Sequence, residues 1–214
     1  MKIVFLLSGE AGSGKGTVAQ MIREHFIPNY VPNTFGCEYP FAKGSQDTCF
    51  VATLPLAFPL KKVVQSIWGV DPNTLQEERN TPVENLGDWT PRKLWQFIGT
   101  EVGRNVNENT WINLWYKEFK RVSSAYFFIP NQIFICDDVR FPNEQDGLNA
   151  LCYSEGFNVV KVFIKYTGNK VVVPNHESEQ HFEYLWRQAD YYIKTSNLES
   201  LREAVNSMLA KVEE

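Results

Sequence analysis

The chain has 214 residues, of which 43% are hydrophobic, and it carries a formal net charge of −4 with a pI near 5.5. This length suits one hydrophobic core and is too short for two large domains, so we predict a single domain over residues 1–214. The acidic balance argues against a broad nucleic-acid-binding surface, and no apolar run approaches the ~20 residues of a membrane span, so we expect a cytosolic protein with small-molecule partners.

The first two dozen residues carry the strongest motif. An apolar run over residues 3–7 predicts a buried strand, and apolar residues at helical spacing over residues 18–26 predict a helix. Between them stands Gly-Glu-Ala-Gly-Ser-Gly-Lys-Gly-Thr, which has the spacing of a P-loop. Glycines let backbone N–H groups surround triphosphate oxygens, and the lysine supplies a charge to the β- and γ-phosphates. The predicted ATP-binding residues are Gly9, Gly12, Ser13, Gly14, Lys15, Gly16 and Thr17.

The end of this motif narrows the class of protein. A hydroxyl that ligands Mg²⁺ directly normally stands at residue 16, whereas here Gly16 is followed by Thr17. The segment Gly-Lys-Gly-Thr resembles nucleoside monophosphate kinases, in which the metal is held largely through waters. The resemblance implies ATP as co-substrate and Mg²⁺ as cofactor, with Thr17 as a metal-site residue acting through water.

The next segments contain two candidate substrate-binding residues. Residues 28–47 lack a regular period and predict an excursion or hairpin, and residues 49–53 predict a short buried strand. Ala-Phe-Pro-Leu-Lys, ending at Lys61, resembles a segment of bacteriophage deoxynucleoside monophosphate kinases and makes Lys61 a candidate. The second candidate is Arg79, which lies in a turn-rich stretch.

The helix between these two candidates should end at Gly69 and bury one face, formed by Leu60, Val63, Val64, Ile67 and Trp68.

A further helix is predicted to begin with Thr90 as its cap and Pro91 at its first position. Residues 92–104 resemble the family's Arg-x-x-Leu-Gln-x-x-Gly-Thr-Glu-x-x-Arg block, although a tryptophan stands before the glutamine. Arg104 is the candidate ligand of the acceptor phosphate because a guanidinium forks onto phosphate oxygens. Gln96 either reads a base edge or has a structural role. The following helix should bury Trp111, Leu114, Trp115, Phe119 and Val122.

A buried strand over residues 132–136 precedes two adjacent acids, Asp137 and Asp138. An acid at the carboxyl end of a strand can orient Mg²⁺ or its waters opposite the P-loop. Residues 138–144, Asp-Val-Arg-Phe-Pro-Asn-Glu, resemble the family's Asp-Val-Arg-Phe-x-Asn-Glu block, which implies roles for Arg140 and Glu144. The resemblance assigns the metal-orienting acid to Asp138, whereas the strand pattern favours Asp137, and both alternatives stay open.

The last third of the chain predicts a helix over residues 147–155, strands over 159–164 and 189–193, and a closing helix. Its apolar residues are Leu198, Leu201, Val205 and Leu209. Two positions depart from the family pattern: this chain has Lys165 where the family usually has an arginine, and Thr195 where it usually has an asparagine. A lysine lacks the bidentate fork of an arginine.

Histidine and cysteine leave further alternatives open. His176, in the predicted lid, is either a metal ligand or base, or a hydrogen-bonded structural residue. Cys136 and Cys152 are predicted to be buried free thiols. Cys37 and Cys49 are either free thiols or part of a metal site.

Alternating strands and helices predict an α/β fold with three layers and a parallel sheet. The resemblance implies five strands in the order 2-3-1-4-5, an acceptor-binding helical region at about 54–125 and a small lid at about 165–180. It also implies transfer of the γ-phosphoryl group of ATP to a deoxynucleoside 5′-monophosphate for DNA precursor synthesis, in the host cytoplasm if phage-encoded. The implied catalytic residues are Lys15, Arg104, Asp138 and Arg140, and the implied substrate-binding residues are Lys61, Arg79, Gln96, Arg104, Arg140 and Glu144.

Three questions stay open at this point. One alternative is a P-loop kinase that acts on another phosphorylated metabolite. Another is a nucleotide-hydrolysing switch or motor subunit, which usually relies on a partner-supplied arginine where this chain has its own. The oligomeric state is also open, with a homodimer as one alternative.

Overall fold

The central element of the structure, a computed structural model, is a parallel sheet. The structure describes residues 1–27, 49–75, 77–168 and 181–214, and within these ranges five strands pair in the order β2-β3-β1-β4-β5. This order confirms the predicted one. The strands are β1 (Lys2–Ser8), β2 (Cys49–Thr53), β3 (Asn131–Val139), β4 (Asn158–Tyr166) and β5 (Tyr191–Thr195).

Helices cover both faces of the sheet. Along β1, Val4 and Leu6 point into one apolar cluster, and Ile3, Phe5 and Leu7 into the other. A strand buried on both faces needs an unbroken apolar run, which is why residues 3–7 contain no polar residue. The helices are α1 (Lys15–Phe26), α2 (Ala57–Trp68), a 3₁₀-helix (Glu78–Asn80), α3 (Pro91–Gln96), a π-helix (Phe97–Arg104), α4 (Thr110–Ala125), α5 (Pro142–Ser154), α6 (Phe182–Arg187) and α7 (Leu198–Val212).

The two apolar clusters divide the helices between the faces. Helices α1 and α7 pack on one face, and α2 to α6 pack on the other. This arrangement confirms the predicted three layers. None of the helices in the described ranges is both long and apolar enough to cross a membrane.

Three predicted buried faces are narrower in the structure than the sequence indicates. In α2, Leu60 and Val64 are buried, whereas Val63 and Ile67 are 40% and 58% exposed. The buried pair forms one i, i+4 row, and the neighbouring row turns away from the sheet. Leu114 of α4 likewise lies beside the buried row, and Leu198 is the first residue of α7; both are exposed, which corrects their predicted burial.

Several predicted boundaries also change. Helix α5 begins at Pro142, five residues before the predicted start, because the Glu144 carboxylate accepts hydrogen bonds from the backbone N–H groups of Arg140 and Phe141. Strand β3 continues to Val139, so both acids lie inside the strand. The predicted end of α2 is confirmed, since Gly69 adopts a left-handed conformation there. Strand β5 runs two residues further towards the carboxyl terminus than predicted.

Some predictions fall on parts of the chain that the structure does not describe. These are the excursion over residues 28–47 and the lid residues 169–180, which include His176, while Lys165 lies inside β4. Cys37 is also outside the described residues, so the alternative of a Cys37 and Cys49 metal site stays a prediction. The prediction for Cys136 and Cys152 is confirmed, because both are buried free thiols.

Candidate active site

A cavity of about 540 Å³ opens beside the P-loop, at the carboxyl ends of β1 and β3. This is the edge of an open parallel sheet where ligands bind. The cavity brings together all the predicted site residues except Gly9, whose carbonyl group instead contacts Lys15. Its predicted lining residues are Gly12, Ser13, Gly14, Lys15, Gly16, Thr17, Lys61, Arg79, Gln96, Arg104, Asp138, Arg140 and Glu144.

The P-loop has the shape of a phosphate cradle. Gly9 has a φ of +138°, and a Cβ atom there would lie 2.2 Å from the carbonyl oxygen of Ile164, so this position requires glycine. The Lys15 ammonium donates hydrogen bonds to the carbonyl oxygens of Gly9 and Glu10, at 2.8 Å each. The lysine is therefore held within the loop, beside the start of α1, where a phosphate group would bind.

The two acids of β3 have different surroundings. Asp138 accepts hydrogen bonds from the backbone N–H groups of Leu56 (2.7 Å) and Ala57 (2.8 Å), one on each carboxylate oxygen. These bonds fix the start of α2. Asp137 lies among the P-loop charges: burial and the Asp138 carboxylate raise the pKa of Asp137 to about 6, while Arg23 and Lys15 act in the opposite direction. Both acids line the cavity.

These oxygen donors suit Mg²⁺, which usually binds one or two carboxylates, several waters and the substrate's phosphates. Asp137, Asp138 and the Thr17 hydroxyl line the same cavity as the P-loop. In the described part of the chain, no group of three His, Cys, Asp or Glu side chains could enclose a metal ion. A Mg²⁺ ion at this site would therefore be held by few protein ligands, together with water and phosphate.

Arg104 is fixed by a buried ion pair. Its guanidinium donates to Glu144 and lies 3.5 Å from the centre of the Phe141 ring, and the two charged side chains are 14% and 7% exposed. Burial raises the pKa of Glu144, and the charge of Arg104 opposes this shift. The other Glu144 oxygen holds the Arg140 and Phe141 backbone. Glu144 therefore holds the Arg104 guanidinium and the backbone at Arg140.

The cavity lining outside the P-loop is rich in cations. Lys61, Arg79, Arg92 and Arg140 all line it. Burial lowers the pKa of Lys61, and the charge of Arg79 lowers it further. Burial likewise lowers the pKa of Arg79, and the charges of Arg92 and Arg140 add to the shift. Such mutual repulsion between buried cations favours the binding of an anion between them.

Two lining residues had no predicted role, Arg92 and Trp95. The Lys61 ammonium lies 4.6 Å from the centre of the Trp95 ring, and the Arg79 guanidinium carbon lies 5.6 Å from it. Arg92 is the first residue of the block that resembles the kinase family, and this position was the sequence signal that could have identified it. Gln96 lines the cavity, and its two alternatives stay open.

Comparisons with known proteins agree with this geometry. No family model matches the chain. The chain is 24% identical to a protein of Acanthamoeba polyphaga mimivirus named "Putative deoxynucleotide monophosphate kinase", with 71% of this chain and 70% of the relative covered. It is also 24% identical to the deoxynucleoside-5′-monophosphate kinase of Escherichia phage T5, with 84% of each chain covered.

Among solved structures, the tunicamycin resistance protein of Deinococcus radiodurans matches with a TM-score of 0.50 and 13% identity, covering 99% of this chain and 96% of that one. This likeness concerns the fold alone. The two sequence relatives confirm the resemblance to deoxynucleoside monophosphate kinases and the prediction of an enzyme. With the P-loop and the sheet order, they indicate a P-loop kinase, which transfers a phosphoryl group.

Proposed function

We propose that the protein transfers the γ-phosphoryl group of ATP to a deoxynucleoside 5′-monophosphate and forms the diphosphate. The observation that carries this proposal is a single cavity lined by a P-loop and by four further cationic side chains, those of Lys61, Arg79, Arg92 and Arg140. An enzyme that transfers a phosphoryl group from one phosphorylated substrate to another needs an anion site for each substrate within one cavity. The names of both relatives describe the same substrate class.

The donor side consists of the P-loop, Lys15 and the nearby acids. Lys15 and the loop's N–H groups would hold the β- and γ-phosphates, and Thr17 with Asp137 or Asp138 would orient Mg²⁺ through its waters. The metal, when bound, supplies positive charge to the phosphate oxygens. Because both oxygens of Asp138 are occupied by the start of α2, we favour Asp137 as the metal-orienting acid.

The acceptor side would hold the monophosphate with Lys61, Arg79, Arg104 and Arg140. An acceptor phosphate is already an anion, so the protein needs no general base and acts mainly by orientation and by neutralising charge. Glu144 holds the Arg104 guanidinium and the backbone of Arg140, and this order reduces the entropy lost when a substrate binds. Gln96 is our candidate for contact with the base.

A kinase for another phosphorylated metabolite would use the same cations. Only assays with a series of different acceptors distinguish such a kinase from a deoxynucleoside monophosphate kinase. A nucleotide-hydrolysing switch has water as its acceptor and gains nothing from four cations in addition to those of the P-loop. We therefore rank it third.

The test is a steady-state assay with the four common deoxynucleoside monophosphates, their ribose counterparts, unphosphorylated deoxynucleosides and other phosphomonoesters. We expect ATP consumption with at least one deoxynucleoside monophosphate and much slower ATP hydrolysis without an acceptor. If the enzyme preferred a different phosphomonoester, the proposed acceptor would be that compound and not a deoxynucleoside monophosphate. Equal ATP hydrolysis with and without acceptors would favour the switch.

A further inference from the structure

We propose that Arg92 binds the phosphate of the acceptor and, together with Arg79, makes the enzyme require a phosphorylated acceptor. This inference rests on the proposed function in taking the acceptor to be a phosphomonoester. It assigns a binding role to a residue for which the sequence predicted none.

The first observation is the surroundings of the Arg92 side chain. Its Nε atom is fully buried and has no hydrogen-bond partner within the described ranges, where Arg92 also has no ion pair. The side chain lines the cavity. A buried N–H group without a hydrogen-bond partner carries a desolvation cost. A ligand in the cavity would supply the missing acceptor atoms.

The second observation is a rigid backbone under this side chain. Thr90 caps α3 by accepting a hydrogen bond from the backbone N–H of Lys93, at 3.2 Å, and Pro91 is buried at the first helical position. Arg92 therefore extends into the cavity from a fixed point. A fixed backbone reduces the entropy that is lost when the side chain binds an anion.

The third observation is the neighbouring guanidinium. Arg79 and Arg92 line the same cavity and are close enough for the charge of Arg92 to lower the pKa of Arg79, after the larger effect of burial. Two neighbouring forked cations that line one cavity suit a ligand with several oxygen atoms and two negative charges. A phosphomonoester has both properties, whereas a neutral hydroxyl group has neither.

No carboxylate in the described part of the chain forms an ion pair with Arg92. Both oxygens of Asp138 accept from the start of α2, and both oxygens of Glu144 are bonded to Arg104 and to the backbone beside it. The charge of Arg92 is thus left for a bound substrate. The next residue, Lys93, is exposed, and its ammonium bonds to the Asp88 carbonyl oxygen outside the cavity. It offers a matched control on the same helix.

The experiment compares Arg92→Met, Arg92→Lys and the control Lys93→Met with the wild type. Calorimetry measures the binding of a non-hydrolysable ATP analogue and, with the P-loop filled by that analogue, the binding of a deoxynucleoside monophosphate, of the matching deoxynucleoside and of inorganic phosphate. We expect Arg92→Met to weaken binding of the monophosphate and of inorganic phosphate by about 10-fold or more, as for lost hydrogen bonds to a charged group.

The remaining readouts separate binding from folding. Arg92→Lys should lie between the wild type and Arg92→Met, because it keeps the charge without the fork. Affinity for the ATP analogue and for the unphosphorylated deoxynucleoside should stay within about twofold in every variant, and Lys93→Met should match the wild type throughout. Equal losses for all ligands would show a structural role and overturn the proposal, as would unchanged affinity for monophosphate.

Failure of this inference and failure of the proposed function give different results. If the wild type phosphorylates no deoxynucleoside monophosphate, the proposed function fails, and inorganic phosphate binding still tests Arg92. If the wild type phosphorylates one and Arg92→Met binds it normally, only the role of Arg92 fails. If Arg92→Met folds poorly, Arg92→Lys provides the comparison. A loss of phosphate affinity of at least threefold in Arg92→Lys would support the proposal, and unchanged affinity would contradict it.

Discussion

Asp137 and Asp138 are neighbours in sequence but have different partners in the structure. Asp138 bonds to two N–H groups at the start of α2, and Asp137 lies near Lys15 and Arg23. The sequence could place both at the carboxyl end of a strand. It could not distinguish them, because the N–H groups of Leu56 and Ala57 lie about eighty residues away along the chain.

We predict that Asp137→Asn slows Mg²⁺-dependent turnover and stabilises the fold at neutral pH. The pKa of Asp137 is raised from 3.8 to about 6, so the folded state binds this proton more tightly than the unfolded state. Its ionisation therefore removes stability as the pH rises from about 4 to about 6, and the amide avoids that loss. Thermal melting without nucleotide should show a difference between variant and wild type that grows over this range and then levels off.

A difference in melting temperature that is independent of pH would contradict the raised pKa of Asp137. Wild-type turnover at all Mg²⁺ concentrations would remove Asp137 from the metal site.

For Asp138→Asn we predict the opposite effect on stability. An asparagine amide can accept from one of the two N–H groups at the start of α2, so one charged hydrogen bond is lost, at a cost of about 1.5–3 kcal/mol. Urea unfolding measures the loss. If stability were unchanged while the Mg²⁺ dependence of turnover were lost, Asp138 would be the metal-orienting acid, as the family resemblance implies.

At the scale of elements, the helix that contains Arg104 changes type. The sequence predicts a helix through residues 92–104, and the structure shows α3 followed by a π-helix that ends at Arg104. The Trp111 indole N–H donates to the carbonyl oxygen of Gly99, at 2.7 Å, so a side chain of α4 bonds to the backbone of the π-helix. Periodicity could not predict this change, because the partner comes from the next helix. Segments of π-helix often occur at functional sites.

We predict that Gly103→Ala destabilises the protein by about 1–3 kcal/mol, through overpacking. A Cβ atom at this position would lie 2.3 Å from the Trp111 ring, so the indole must move and lose its bond to Gly99. A control is Gly147→Ala in α5, where the nearest atom is the movable end of the Ile112 side chain at 3.2 Å. Urea unfolding of both variants gives the comparison.

A double variant checks the cause of the Gly103→Ala effect. In a Trp111→Phe background the ring is smaller and has no bond to lose, so Gly103→Ala should cost clearly less there. An equal cost in both backgrounds would show that the ring is not what the new methyl group displaces.

At the scale of the whole molecule, the sheet order could be predicted and the cation cluster could not. The order came from the resemblance and from the P-loop after β1, whereas Lys61, Arg79, Arg92 and Arg140 come from four separate segments. No local pattern shows that these segments meet. The same limit explains the exposed Val63 and Ile67, since the width of a buried stripe depends on what packs against it.

The proposed function, with a separate anion site for each substrate, predicts two separable effects on the stability of the whole fold. A ligand present at a hundred times its Kd should stabilise the wild type by about 2.7 kcal/mol. We expect Lys15→Ala to lose most of the thermal shift given by an ATP analogue, keep the shift given by a deoxynucleoside monophosphate, and lower kcat by about 10²–10³. Loss of both shifts would mean that the two sites are not independent.

The destination of the γ-phosphoryl group tests the central claim most directly. Wild-type enzyme is incubated with Mg²⁺, γ-labelled ATP and a deoxynucleoside monophosphate, and the products are separated. Two phosphate sites in one cavity predict that the label appears in the deoxynucleoside diphosphate, with little in inorganic phosphate and little turnover when the acceptor is left out. Label that appears in inorganic phosphate at the same rate with and without the acceptor would contradict a kinase of this class.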